Sequence, residues 1–223
     1  MPIAKNGLSE RAKQLEARYG VREGWQVTLE YDTFDLAYQA AIQRVAFTDV
    51  SATGKLWIQG QSVKETLKQT FGVSPDHPTE LKRFPDGWIT QINRQEYYAI
   101  IALEQLNHYF SQLQKSFQEQ HAHVTSVTHG KDIIAVFGPQ AASVLGKICA
   151  LDFQSFDKET ALSGHLADVS AIIARCDLKH LPCYEIHLDR SYSEYALNVL
   201  LDAAEDFNGQ LIGLDALNIL KEG

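Results

Sequence analysis

The sequence predicts an α+β fold made of two similar halves, with mostly antiparallel sheets and flanking helices. Two observations carry this. The first is a strand–turn–helix unit that occurs twice, over 54–71 and over 132–148, with cores LWIQGQSVKETLKQTF and IIAVFGPQAASVLGKI. In each an apolar run meets a glycine, Gly60 or Gly138, and continues at helical spacing. A glycine suits a sharp strand-to-helix turn, and Pro139 suits a first helical position. The second observation is a pair of β-rich runs, WITQIN at 88–93 and YYAIIA at 97–102, separated by Arg94, Gln95 and Glu96. Such a pair reads as an antiparallel hairpin.

The elements follow in order. Residues 8–19 carry Leu8, Ala12, Leu15 and Tyr19 at helical spacing, with Gly20 and Gly24 to end the helix. WQVTLEY at 25–31 alternates as a strand does. Asp32 or Thr33 is placed to cap a helix over 33–45, whose apolar face holds Leu36, Ala40 and Val45. After the first strand–turn–helix unit, 73–83 is polar and proline-containing and reads as a loop. The hairpin leads into a helix over 104–119, with Leu106, Tyr109, Phe110, Leu113 and Phe117 on its core face. Strands at 123–128 and 132–137 lead into the second unit.

Residues 149–166 read as irregular, and 167–175 with 183–188 as another hairpin. Ser191 or Ser193 is placed to cap a helix over 192–206, with Glu194 near its positive end. A helix over 213–221 closes the chain. The count is seven or eight strands. No low-complexity tract interrupts the pattern, which gives an N-terminal helix and strand over 1–30 and a domain over 31–223. The halves of that domain are about 31–120 and 121–223, packed about a pseudo-two-fold.

The chain has 223 residues, 28 acidic against 20 basic, for a formal charge of −8. That balance argues against nucleic acid or an anionic membrane surface as partner, since both select basic patches. No apolar run approaches the ~18–20 residues that span a bilayer, and the polar first twenty positions lack the apolar core of a secretory signal. The expectation is a cytoplasmic protein. Cys149, Cys176 and Cys183 form no even framework and have no zinc or redox spacing, so they read as free thiols.

Several motifs resemble one family. DVSATGKLWIQG at 49–60 is similar to the D-V-S-H-M-G…V-x-G opening of the glycine-cleavage T-protein (aminomethyltransferase) folate-binding domain. FPDGWITQINRQEYYAII at 84–101 resembles that family's central hairpin, FGPQAASVL its Q-G-P-x-A-x-x-V-L motif, and GLDALNIL its G-x-x-D-x-L-R-L segment. The second half looks closest to the gamma subunit of heterotetrameric sarcosine oxidase. It shares a C-x-L-D motif, here Cys149, Leu151 and Asp152, and an R-S-F/Y-x-x-Y/W motif, here Arg190, Ser191, Tyr192 and Tyr195.

The resemblance implies a tetrahydrofolate site, and its departures fall on that site. The family's paired aspartates before the hairpin strand read Asp86-Gly87 here. The glutamate of its R-T-G-Y-T-G-E segment falls on Leu181 in RCDLKHL, where only Arg175 matches. The late arginine is Leu214 or is removed by a gap. Asp86 and Arg175 remain as cofactor-site candidates, and no tightly bound cofactor is expected. What the resemblance then favours is a non-catalytic binding or assembly subunit. Its partners would be other subunits of an oxidase-type complex, or a second copy of itself. The alternative is a stand-alone folate-dependent one-carbon transferase. An iron–sulfur-cluster maintenance relative ranks lower, because ARCDLKHLPCYEIH lacks that branch's flanking glycines. An assembly role calls for an exposed aromatic patch with an arginine. The candidates are Trp57, Trp88, Tyr97, Arg190 and Tyr192.

Other chemistry is sparse. His121, His123 and His129 have no third ligand at a fixed spacing and read as a solvated strand edge, and His180 and His187 read as surface residues. No nucleophile elbow, P-loop or dinucleotide fingerprint is present. Asp152 with Asp157 reads as a polar loop.

Overall fold

The computed structural model describes residues 3–31, 34–153 and 155–222. The chain forms two compact units. One is built from the chain up to Ala52, Asp132–Lys158 and the chain from Ser163 on; the other is built from Thr53–Lys131 and Glu159–Leu162.

The first unit begins with helix α1 (Ser9–Gln14) and a hairpin of β1 (Arg18–Arg22) and β2 (Trp25–Glu30). The helix expected over 8–19 is thus cut short. Glu16 turns to a φ of 52° and Leu15 is exposed. Only Leu8 and Ala12 keep the apolar period buried, so Tyr19 and Gly20 join a strand. Glu23 and Gly24, with φ of 47° and 78°, form the tight hairpin turn. Helix α2 (Phe34–Gln43) buries Ala37, Ala40 and Ala41, while Leu36 faces outward. Its expected caps, Asp32 and Thr33, lie outside the described residues. Strand β3 (Ala46–Asp49) follows; its short apolar run does not stand out in sequence.

The second unit runs β4 (Gly54–Gly60), α3 (Lys64–Phe71), β5 (Leu81–Phe84), β6 (Gly87–Asn93), β7 (Glu96–Ile101), a 3-10 turn at Leu103–Gln105, α4 (Leu106–Ser116) and β8 (Ala122–Ser126). Its sheet has the order β5-β6-β7-β4-β8. Leu56, Ile58, Ile89, Tyr97, Ala99 and Ile101 form the sheet side of one core; Leu67 and Phe71 of α3 and Tyr109 and Leu113 of α4 pack in the same cluster. The 106–117 stripe is therefore core, as its spacing predicts.

The first unit resumes with β9 (Lys131–Phe137), α5 (Ala141–Ile148), β10 (Ala161–Leu166), β11 (Val169–Arg175), β12 (Cys183–Asp189), a 3-10 turn at Arg190–Tyr192, α6 (Ser193–Ala203), β13 (Gln210–Leu211) and α7 (Leu214–Glu222). The sheet order is β10-β11-β12-β9-β3-β13. Thirteen strands are assigned among the described residues, more than expected; the additional ones are β1, β3, β5, β10 and β13.

The repeat is explicit in the topology. Each copy is a strand, a helix, three successive strands, a 3-10 turn and a second helix. In both sheets the third of those strands lies beside the opening strand: β5-β6-β7-β4 and β10-β11-β12-β9. The repeated spans are Gly54–Ser116 and Lys131–Ala203. They are narrower than halves at 31–120 and 121–223, because α2 and β3 precede the first copy and β13 and α7 follow the second. Gly138 has a φ of 114°, and a Cβ there would sit 2.6 Å from the Arg44 carbonyl oxygen. Pro139 lies in the turn before α5 rather than in its first turn.

Residues before 30 are integral to the first unit. The Asn6 amide donates to Asp49 Oδ2, the Gly7 N–H donates to Asp132 Oδ2 at 2.6 Å, and Ser193 Oγ donates to the same oxygen at 2.7 Å. Asp132 is buried. Ser193 is thereby committed to Asp132 and does not cap α6, which has Tyr192 at its N-cap without a side-chain hydrogen bond.

Candidate functional site

Asp86 occupies the two-residue turn between β5 and β6. Its carbonyl accepts from the Ala102 N–H at 2.7 Å, and its Oδ2 accepts from the Tyr109 hydroxyl at 2.6 Å. Tyr109 is buried, stacked 5.2 Å from Phe71 and edge-on to Phe84 at 5.5 Å. Burial, the hydrogen bond to Asp86 and that carboxylate's charge together push the phenol up to about 12.

Gly87, where the family resemblance expects a second carboxylate, opens β6 opposite Ile101. A Cβ placed on it would lie 1.9 Å from the Ile100 carbonyl oxygen and 2.9 Å from the Ile100 carbonyl carbon. No side chain fits there unless backbone moves. Gly87 itself carries no carboxylate, and the Ile100 backbone occupies the space that a side chain at this position would need.

Arg175 ends β11 in the other unit. Its Nε donates to Asp177 Oδ1 at 2.9 Å, its Nη2 to Asp177 Oδ2 at 3.3 Å, and its Nη1 to the Phe156 carbonyl. The guanidinium lies 5.7 Å from the Tyr184 ring, which meets Phe153 edge-on at 5.4 Å. Burial alone would raise the Asp177 carboxyl. Hydrogen bonds from Arg175, from the Cys183 N–H and from Lys158 outweigh it and hold the group below the usual carboxylate range. The Asp177 hydrogen bond in turn raises Arg175. Leu181 closes a two-residue loop, with reciprocal bonds of 2.9 Å to Leu178 and a φ of 54° at Lys179. Leu214 is buried at the start of α7.

Of the five partner-surface candidates, Trp57, Trp88 and Tyr97 lie in the second unit and Arg190 and Tyr192 in the first. Trp88 and Tyr97 are buried at 4% and 2% exposure and cannot serve as open surface in this chain. They lie in neighbouring strands on opposite faces of the sheet: Tyr97 is in the α3/α4 core, and Trp88 meets Tyr98 edge-on at 6.1 Å. Trp57 is half-buried and tilted against Tyr98 at 5.7 Å. Arg190 is half-buried and Tyr192 exposed in the turn before α6, and Tyr195 one helical step on is also exposed.

Besides Asp132, two buried side chains, Lys55 and His187, escaped sequence reasoning. Lys55 is fully buried, and its Nζ donates to the Thr53 carbonyl at 3.1 Å. The signal was present: alternation in GKLWIQG puts Lys55 on the Trp57 face, opposite Leu56 and Ile58. His187, expected on the surface, is buried, because β12 is an interior strand between β11 and β9. Its Nε2 lies 3.4 Å from Glu185 Oε2. His121, His123, His129 and His180 are exposed. Cys149, Cys176 and Cys183 are all buried. Asp152 accepts from Ser155 Oγ at 2.6 Å, and Ser51 Oγ accepts from the Ile133 N–H at 2.8 Å. Among the described residues, no group of three or more His, Cys, Asp or Glu could hold a metal ion, and no helix is long and apolar enough to cross a membrane.

The family model of the GCVT N-terminal domain matches residues 83–222, well over half of the chain. The chain belongs to the GCVT N-terminal domain family. Curated relatives of this GCVT-domain chain include the aminomethyltransferases of Acidobacterium capsulatum and Halothermothrix orenii. They are 22% and 21% identical, over 98% of this chain in both cases and 62% and 64% of their own lengths. The chain thus spans less than two thirds of these relatives. Among solved structures, the glycine cleavage system aminomethyltransferase T of Bartonella henselae matches with a TM-score of 0.83 at 17% identity, over 98% of this chain and 62% of that one. A chain of heterotetrameric sarcosine oxidase from Corynebacterium sp. U-96 matches with a TM-score of 0.69 at 20% identity, over 78% of this chain and 91% of that one. Both likenesses establish the GCVT-domain fold.

Proposed function

We propose that this chain is a non-catalytic binding or assembly member of the GCVT-domain family, working beside other subunits of an oxidase-type complex or beside a second copy of itself, in the cytoplasm. The observation that carries this is Gly87. The fold's folate ligand tetrahydrofolate needs charged partners, and the residues present do not fit it. One carboxylate position is filled by the Ile100 backbone, another is Leu181, and Asp86 and Arg175 are engaged within their own units. A hydrogen bond to a charged group contributes about 1.5–3 kcal/mol, so two such losses remove two or more orders of magnitude in affinity. The likeness to a chain of a heterotetrameric oxidase supports a subunit role.

Arg190 and Tyr192, with the exposed Tyr195, are the proposed contact to a partner subunit. Purification of the tagged chain from its native cell tests this. Stable large partners are expected, and R190A/Y192A should lose them while the melting temperature is unchanged. Retention of the partners by that variant would remove this contact.

The second reading is a folate-dependent aminomethyltransferase, favoured by the names of the curated relatives. Turnover of tetrahydrofolate with an aminomethyl donor by the isolated chain would establish it and displace the assembly reading.

A further inference from the structure

One edge of the second unit's sheet is open. Strand β8 ends the order β5-β6-β7-β4-β8, and among the described residues only β4 pairs with it. The Val127 N–H donates to the Lys55 carbonyl, so inward-bonding residues share the parity of 127. His123 and Thr125 therefore bond toward β4. The backbone N–H and C=O groups of Ala122, Val124 and Ser126 point away from it, toward the open edge.

Native sheets blunt such edges with charges, prolines or covering loops. The opposite edge of this sheet follows that rule. In β5, Arg83 pairs with Glu159 at 2.9 Å and Lys82 with Glu80 at 2.6 Å, and the Leu81 N–H donates to the Glu159 carbonyl. Strand β8 has no such guard. HAHVTSVTHG at 121–130 contains no Asp, Glu, Lys or Arg, in a chain with a formal charge of −8. Beside it, Gln114, Phe117 and Gln118 from the C-terminal end of α4 and beyond line a groove of about 370 Å³ with Ala122, His123 and Val124.

We infer that β8 is a pairing edge for a second copy of this chain, joined antiparallel about a two-fold through Val124. Two chains of charge −8 repel, and they approach with least repulsion through a stretch without formal charge. A two-fold at Val124 pairs every outward backbone group: Val124 faces Val124 of the second copy, and Ala122 faces Ser126. On the exposed face His123 stands opposite the uncharged Thr125, so no like charges meet directly across the seam. The two-fold is perpendicular to the sheet and puts both α4 helices on one side. There Gln114, Phe117 and Gln118 of each copy flank the seam. This inference does not depend on the ligand reading above.

Sedimentation equilibrium on the full chain tests it, together with hydrogen exchange of the 121–127 segment. At tens of micromolar the expected mass is twice that of one chain, and the amides of Ala122, Val124 and Ser126 should gain protection as concentration rises. H123K/T125K places like charges opposite each other on exposed positions, and should return the mass to that of one chain with an unchanged melting temperature. H123E/T125K places opposite charges across the seam, and should restore the doubled mass. A wild-type chain that stays single at hundreds of micromolar overturns the inference, whether or not some other protein binds the edge. A dimer that survives H123K/T125K, or that H123E/T125K fails to restore, overturns it equally.

Discussion

The hydroxyl of Tyr109 donates to Asp86 Oδ2 at 2.6 Å, so the acid that family resemblance marks for a ligand already has a partner on α4 of its own unit. The pair ties the β5–β6 turn to the helix. Y109F should cost about 1 kcal/mol in denaturant unfolding; the range for a hydrogen bond to a charged group is about 1.5–3 kcal/mol, reduced here by the partial exposure of Asp86.

The same pair predicts an alkaline signature. Tyr109 has an ordinary value of 10.0 and is pushed up to about 12 in the fold. The fold favours the neutral phenol, so its contribution is complete below the unfolded value and is lost as pH rises through the folded one. Between those two values the wild type should lose stability more steeply than Y109F. Parallel stability curves would contradict the pairing.

Two glycines should respond with opposite sign. G87A drives a methyl into the Ile100 carbonyl, which lies 1.9 Å from the Cβ position, and should destabilise by about 3 kcal/mol or more, beyond the usual range for point changes. Gly146 sits exposed inside α5 with nothing within 4 Å of its Cβ position, so G146A should stabilise by about 0.5–1 kcal/mol. Chemical unfolding of both variants checks the pair.

The repeat, the hairpin at 87–101 and the apolar face of α4 were legible in sequence because each is a run long enough to show its period. The strands β3, β5 and β13 were not, since two to four residues cannot display one, and in β10 the run Ser163, Gly164 and His165 breaks the apolar pattern. Residues 15–20 misled for a related reason: Leu15 and Tyr19 extend a helical spacing that the positive φ at Glu16 breaks. At the site, the loss of a carboxylate at Gly87 could be read from resemblance. The closing of the Ile100 backbone over the place could not, because it depends on a cross-strand neighbour thirteen positions away. Trp88 and Tyr97 look like surface anchors by type, and only the sheet pairing reveals that they are buried on opposite faces.

Asp132 should prove a structural acid. It accepts from the Gly7 N–H and from Ser193 Oγ while only 1% exposed, and a Cβ on Gly7 would lie 2.7 Å from its Oδ2. D132A leaves the buried Ser193 hydroxyl and the part-buried Gly7 N–H without their acceptor, and an unsatisfied buried donor costs about 1–3 kcal/mol. The expected result is a loss of about 2–4 kcal/mol, with earlier proteolysis in the segment before Trp25. A loss confined to a few tenths would mean that the N-terminal segment is held by other contacts.

Thermal melting of the isolated chain with tetrahydrofolate tests the central claim most directly. A ligand at 100 times its dissociation constant stabilises by about 2.7 kcal/mol, which in a chain of this size corresponds to a rise of about 5–10 °C. With Gly87 closed by backbone and Leu181 in place of an acid, the melting temperature should not move at tens of micromolar tetrahydrofolate. A rise of several degrees at that concentration would contradict the account.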